Sequence, residues 1–148
     1  MTVTPDNELT RRVIECATEV HRQIGPGLSK EIYGTCLGME LTAAGLEFER
    51  GRVLPFVYDG HLLDFTIETD FIINDFLVLQ VEAVDEIELI HEQQIRTCVF
   101  MSGFPLGILL NFNVVEMLDG VMLMPARIKD DEPAERDVFD DPELGVTC

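Results

Sequence analysis

The sequence predicts an α/β fold in which helices pack on a central mixed β-sheet, and three observations carry that prediction. Two N-terminal stretches space their apolar residues as helices do. Strand-like runs follow, punctuated by turns at Asp59-Gly60, Asn74-Asp75 and Asp119-Gly120. One run, Phe76 to Val84, is almost continuously apolar, which suits a central strand covered on both faces.

In the first helix Leu9, Val13, Ile14, Ala17, Val20, His21 and Ile24 recur on one face, and Gly25-Pro26-Gly27 ends it. A second helix is expected from Ser29 to Ala44, with Ile32, Cys36, Leu37 and Leu41 buried and Gly45 as its C-terminal stop. Phe48 to Tyr58 reads as a strand, Leu62 to Ile73 as its return, and Phe76 to Val84 as the central strand. A third helix spans Leu89 to Ser102 and is stopped by Gly103 and Pro105. Leu106 to Phe112 and Val121 to Ile128 complete the sheet, joined through a hairpin turn at Asp119-Gly120. The order is thus two helices, three strands, a helix and two strands, a mixed layer architecture.

A chain of 148 residues points to one domain. Residues 1–128 are expected to form it, and residues 129–148 a flexible acidic tail. In that tail Asp130, Asp131, Glu132, Glu135, Asp137, Asp140, Asp141 and Glu143 outnumber Lys129 and Arg136. Such a segment buries too little apolar surface to offset its ordering entropy. Its expected role is solubility, with subunit docking through Val138, Phe139 and Leu144 as the alternative. No apolar run has membrane-spanning length, and Met1 to Thr10 lacks an apolar signal segment, so a cytoplasmic protein is expected. The cysteines form no CxxC pair; Cys16, Cys36 and Cys98 are expected as core thiols, and Cys148 as an exposed one.

Charge excludes most strongly. Asp and Glu number 28 against 10 Lys and Arg, a net charge of −18. A nucleic-acid binder presents a basic footprint, and this field repels a polyanion. Nucleic acid is therefore an unfavoured partner.

Polar residues interrupt the apolar strands at a few positions. Gln80 and Glu82 share one face of the central strand, and Asp70 precedes the turn before it. His91 and Gln94 follow on the third helix. Carboxylates at such spacing can hold divalent cations for phosphodiester cleavage. A hydrogen-bond network accounts for them equally well.

Three runs give the chain a resemblance to a family. They are Val20-His21-Arg22-Gln23-Ile24-Gly25-Pro26-Gly27-Leu28 with Tyr33, Ala83-Val84 followed by Ile90-His91-Glu92-Gln93-Gln94, and Gly107-Ile108-Leu109-Leu110-Asn111-Phe112. Together they resemble the GxxExxY group of PD-(D/E)xK nuclease-like proteins over roughly Leu9 to Met124. The resemblance implies a restriction-endonuclease-like core. It also implies site positions, and here the chain departs from the pattern. Asp70 falls on the metal-binding aspartate and is retained; His91 and Gln94 match as well. The glutamate after the glycine falls on Lys30, and Glu31 lies one position later. The glutamate and lysine of the ExK triplet fall on Gln80 and Glu82, and Cys98 replaces an aromatic.

Glutamine is a poorer ligand than glutamate for a hard dication, and Glu82 removes the cation that would stabilise developing charge. The expectation is a catalytically degenerate nuclease fold with a structural, homo-oligomeric role and no cofactor. The exchange of charge between positions 30 and 82 predicts a Lys30–Glu82 ion pair. His91 is expected to be a structural helix residue. Val121, Met122, Leu123 and Met124 offer an apolar strand edge for subunit contact, and Met101, Met117, Met122 and Met124 an adaptable packing set. Two other functions stay open. One is a nuclease with a rearranged site, in which Asp70 and Glu82 hold Mg2+ or Mn2+ and Lys30 supplies the positive charge. The other is a regulatory module whose acidic surface imitates nucleic acid.

Overall fold

A computed structural model describes residues 5–126. The segment 129–148, with the proposed tail and Cys148, lies outside the described residues, as do the last two positions of the predicted final strand. Helix α1 (Pro5–Ile24) begins four residues before the expected Leu9. Proline fits its first turn, where the missing N–H is no loss. Leu9, Val13, Ala17 and Val20 form its buried stripe. Helix α2 (Lys30–Ala43) follows, capped by Ser29, whose side chain accepts from the Ile32 N–H. Its buried face is Tyr33, Gly34, Leu37, Gly38 and Leu41. Ile32 is exposed, against expectation, because Tyr33 one position on turns inward and sets the buried stripe.

The two long predicted strands are both broken. The first is β1 (Phe48–Arg50) and β2 (Val53–Tyr58); the second is β3 (His61–Glu68) and β4 (Phe71–Ile73). Gly51, at φ 71°, bends the first strand, and the Gly51 N–H bonds the Asp70 carbonyl across the same break. The two halves diverge there. β1 and β4 join the main sheet, and β2 and β3 continue as a separate two-stranded arm. The turns at Asp59-Gly60 and Asn74-Asp75 hold positive φ at both central residues; the first is a two-residue hairpin, and the second belongs to a three-residue loop between the paired Ile73 and Leu77.

The main sheet runs β1-β4-β5-β6-β7, with β5 (Leu77–Glu82), β6 (Leu106–Asn111) and β7 (Val121–Pro125). Only β5 and β6 are parallel, and α3 (Leu89–Ser102) makes the crossover between them. As the sequence predicts, β5 is central and buried on both faces. Leu77, Leu79 and Val81 pack with α1 and α2, whereas Val78 packs with Ile95 and Val99 of α3. The Asp119-Gly120 hairpin turn is instead part of a 3-10 turn over Met117–Gly120. Gly120 is required there because a Cβ would lie 2.0 Å from the Asn111 carbonyl oxygen.

The methionines serve the core: Met117 and Met124 are buried, and Met101 and Met122 are partly buried against the α3-side cluster. Cys16 and Cys36 are free thiols; Cys98 is buried but not a free thiol, which corrects that expectation. Among the described residues no helix is long and apolar enough to cross a membrane.

Candidate active site

Strand register builds the candidate site. Phe71 pairs with Leu79 at the start of β4, so the β4–β5 ladder ends beside Asp70. The Val81 N–H lies beyond it and needs an acceptor. Asp70 Oδ2 accepts that N–H at 2.8 Å. The carboxylate thus extends the ladder by one bond in place of a backbone carbonyl. The same oxygen lies 3.6 Å from Lys30 Nζ at the start of α2.

Gln80 and Glu82 lie two apart on β5 and share the face that Val78 turns toward α3. Gln80 Nε2 donates to Glu82 Oε2 at 2.8 Å. Gln80 is 3% exposed, and its Oε1 has no hydrogen-bond partner. An orphaned buried carbonyl costs about 1–3 kcal/mol. The parallel crossover returns the start of α3 to the C-terminal end of β5, where His91 and Gln94 are half-buried. His91 does what was expected of a structural residue: its Nδ1 accepts the Glu88 N–H at 2.8 Å, completing a capping box.

The structure therefore brings Lys30 to Asp70 and Gln80 to Glu82. It does not form the expected Lys30–Glu82 pair. Lys30 approaches from the α2 side and meets Asp70 first, while Glu82 is directed toward α3 and bonded by Gln80.

The sequence reading gave no site role to three neighbours. Arg50 places its guanidinium 5.0 Å over the Phe71 ring. It lies against Gly34, where a Cβ would stand 2.8 Å from Arg50 Nη2. The signal was Gly34 and Gly38, four apart on one helix face, which leave room for a large side chain from a neighbouring strand. Gln93 is buried with an unpartnered Oε1, and only its place beside Gln94 hinted at it. Asn111 continues the β5–β6 pairing with its side chain: Oδ1 accepts from the Val84 N–H and Nδ2 donates to the Val84 carbonyl, both at 3.0 Å.

Tyr33 fixes the Gly-Pro-Gly loop that leads into α2. Its hydroxyl donates to the Gly25 carbonyl at 2.5 Å and accepts from the Leu28 N–H at 3.2 Å. Its ring stacks on Phe112 at 4.6 Å. Asn113 accepts from the Gly27 N–H at 3.1 Å. The loop that positions Lys30 is thus tied to the end of β6.

Two carboxylates, Asp70 and Glu82, remain as oxygen donors at this end of β5. Among the described residues no three His, Cys, Asp or Glu side chains converge. A hard dication prefers an all-oxygen shell with charged ligands. Two carboxylates suffice for a dication that keeps several of its waters, as Mg2+ does; here the Lys30 ammonium lies on one carboxylate and the Gln80 amide on the other.

The fold and this strand-end carboxylate define a nuclease-like α/β protein. The chain matches the family model of the PD-(D/E)XK nuclease superfamily over residues 7–122 and belongs to that superfamily. Its core is the restriction-endonuclease-like α/β fold. No curated protein and no solved structure gives a significant match.

Proposed function

We propose that this chain is a catalytically degenerate nuclease-fold protein of the GxxExxY group with a structural, homo-oligomeric role. One observation carries the reading: the Lys30 ammonium lies 3.6 Å from Asp70 Oδ2, the oxygen a catalytic metal would need. Gln80 beside it carries no charge, and Glu82 supplies an anion where the superfamily's chemistry calls for a cation. The net charge of −18 supports the same reading, because it opposes approach of a polynucleotide. Residues 1–128 are the folded unit and 129–148 an acidic, solubilising segment. A cytoplasmic setting is part of the proposal; among the described residues no helix is long and apolar enough to cross a membrane.

Calorimetry with Mg2+ and Mn2+, on wild type and Asp70→Ala, tests the site. The expected result is no binding at millimolar metal and no cleavage of single- or double-stranded DNA or RNA. Binding that Asp70→Ala abolishes, together with metal-dependent cleavage, would overturn the reading in favour of a rearranged nuclease site. A salt-sensitive complex with a basic protein would favour the nucleic-acid mimic instead.

A further inference from the structure

The β2–β3 arm is apolar where a solvated hairpin would alternate. Strand β2 reads Val-Leu-Pro-Phe-Val-Tyr, with no charge and no polar face. One face of its lower part is covered: Leu54 and Ile67 are buried, and Ile67 and the half-buried Phe56 pack in the α3-side cluster. Beyond that point Val57, Tyr58, Leu62 and Phe65 are exposed, at 45%, 69%, 72% and 66%. Val57 stands opposite Leu62, so the exposed side chains form cross-strand neighbours. A two-stranded ribbon is marginal alone and becomes stable with added strands or a covering layer. Apolar surface on both sides of a strand marks a strand meant to be covered on both sides.

Charge indicates what covers it. In a chain of net charge −18 most surfaces repel a second copy. The sheet edges differ in this respect. β1 carries Glu49 and Arg50, and β3 carries Asp64 and Glu68, charges that guard an edge against pairing. β7 is uncharged but ends in Pro125, and its Val121 N–H is already bonded to the Leu118 carbonyl. β2 is the longer uncharged strand, and among the described residues it pairs with β3 alone. Two β2 strands laid antiparallel meet through neutral side chains. Pro55 withholds an N–H from the middle of β2, so the contact is made by side chains and not by a continuous ladder.

We infer that the β2–β3 arm is the surface through which two copies of this chain associate, the β2 strands lying antiparallel and meeting through their apolar side chains. This rests on the homo-oligomeric part of the proposed function and names its interface.

Sedimentation velocity on the full chain over a wide concentration range tests it, using wild type, the arm variant Val57→Asp/Leu62→Asp, and Leu123→Asp on β7. All substituted positions are exposed or half-exposed, and circular dichroism confirms that each variant folds. The expected result is a wild-type mass at least twice that of the monomer, with the arm variant monomeric and Leu123→Asp unchanged. Tyrosine fluorescence gives a second readout. The chain has two tyrosines and no tryptophan, and Tyr33 is fully buried. Acrylamide quenching therefore reports Tyr58, which is expected to be shielded in wild type and accessible in the arm variant. A wild type that is monomeric throughout would overturn both the inference and the oligomeric role. An oligomer that survives in the arm variant, or that Leu123→Asp dissolves instead, would overturn the arm as the interface and leave the oligomeric role standing.

Discussion

Replacing Gln80 by glutamate would set a second carboxylate against Glu82 in a position that is 3% exposed. In the present chain the Gln80 amide donates to Glu82 at 2.8 Å, so the two side chains touch. Two unit negative charges about 4 Å apart at an effective dielectric near 20 repel by about 4 kcal/mol. Divided by about 1.4 kcal/mol per pH unit, this raises the introduced carboxyl from ~4.3 to ~7 in the folded state. The sign follows from linkage. A carboxyl whose folded value lies above its unfolded value exerts no penalty below the unfolded value. The penalty grows through the window between ~4.3 and ~7 and is complete above it. Urea unfolding of wild type and Gln80→Glu, compared pH by pH, should therefore show a difference of about 4 kcal/mol at pH 8 and well under ~1 kcal/mol at pH 4.

Adding Glu82→Lys turns the repulsion into attraction, so the double variant should recover most of the loss at pH 8. A Gln80→Glu penalty that is independent of pH, or that Glu82→Lys fails to relieve, would refute direct coupling of the two positions. The account of the site would then lose its central geometry.

Other perturbations test the framework around the site. Tyr33→Phe removes two hydrogen bonds from the Gly-Pro-Gly loop but keeps the Phe112 stack, and should cost about 1–3 kcal/mol by denaturant titration. Gly107→Ala drives a Cβ to 2.5 Å from Val99 Cγ2, a side chain that can shift, and should cost about 1–3 kcal/mol; Gly120→Ala meets backbone at 2.0 Å and should abolish soluble folded protein. In α1 the Arg22 hydrogen bond, then that of Gln23, holds the Glu19 carboxyl below its ordinary 4.5, at about 2. Its folded value is depressed, so the stabilisation is present above 4.5 and is lost as pH falls toward 2. An NMR titration should place the Glu19 midpoint near 2 in wild type and higher in Arg22→Ala.

The helices, the central strand and the order of elements were legible because their signals are local: apolar spacing, capping residues and paired turn residues. The break at Gly51 and Asp70 was not. Gly51 looked like a flaw in a strand, and nothing near it shows that the return strand breaks at the same level. The partners of the charged residues were illegible for a related reason. Lys30 and Asp70 are far apart in sequence, and only the β4–β5 register sets Asp70 beside Val81 and within reach of α2. Reading an exchange of charges as a contact between them failed because Lys30 and Glu82 turn to different partners at the end of the sheet.

That geometry also separates what the chain keeps from what it changes. At four positions where it matches the pattern it resembles, the side chain bonds the backbone. Asp70 takes the Val81 N–H, Tyr33 holds Gly25 and Leu28, His91 caps α3, and Asn111 pairs with Val84. Where it departs, the side chain is bonded to other side chains: Lys30 to Asp70, and Gln80 and Glu82 to each other. A backbone partner constrains a residue because losing it orphans a buried group at about 1–3 kcal/mol, whether or not any chemistry occurs. A residue bonded only through its side chain is free of that constraint once catalysis no longer holds it. Retention of Asp70 therefore follows from its bond to Val81 and is not by itself a sign of a working site. On the proposed reading the positions that would report on catalysis are 30, 80 and 82, the three that differ from the pattern the chain resembles.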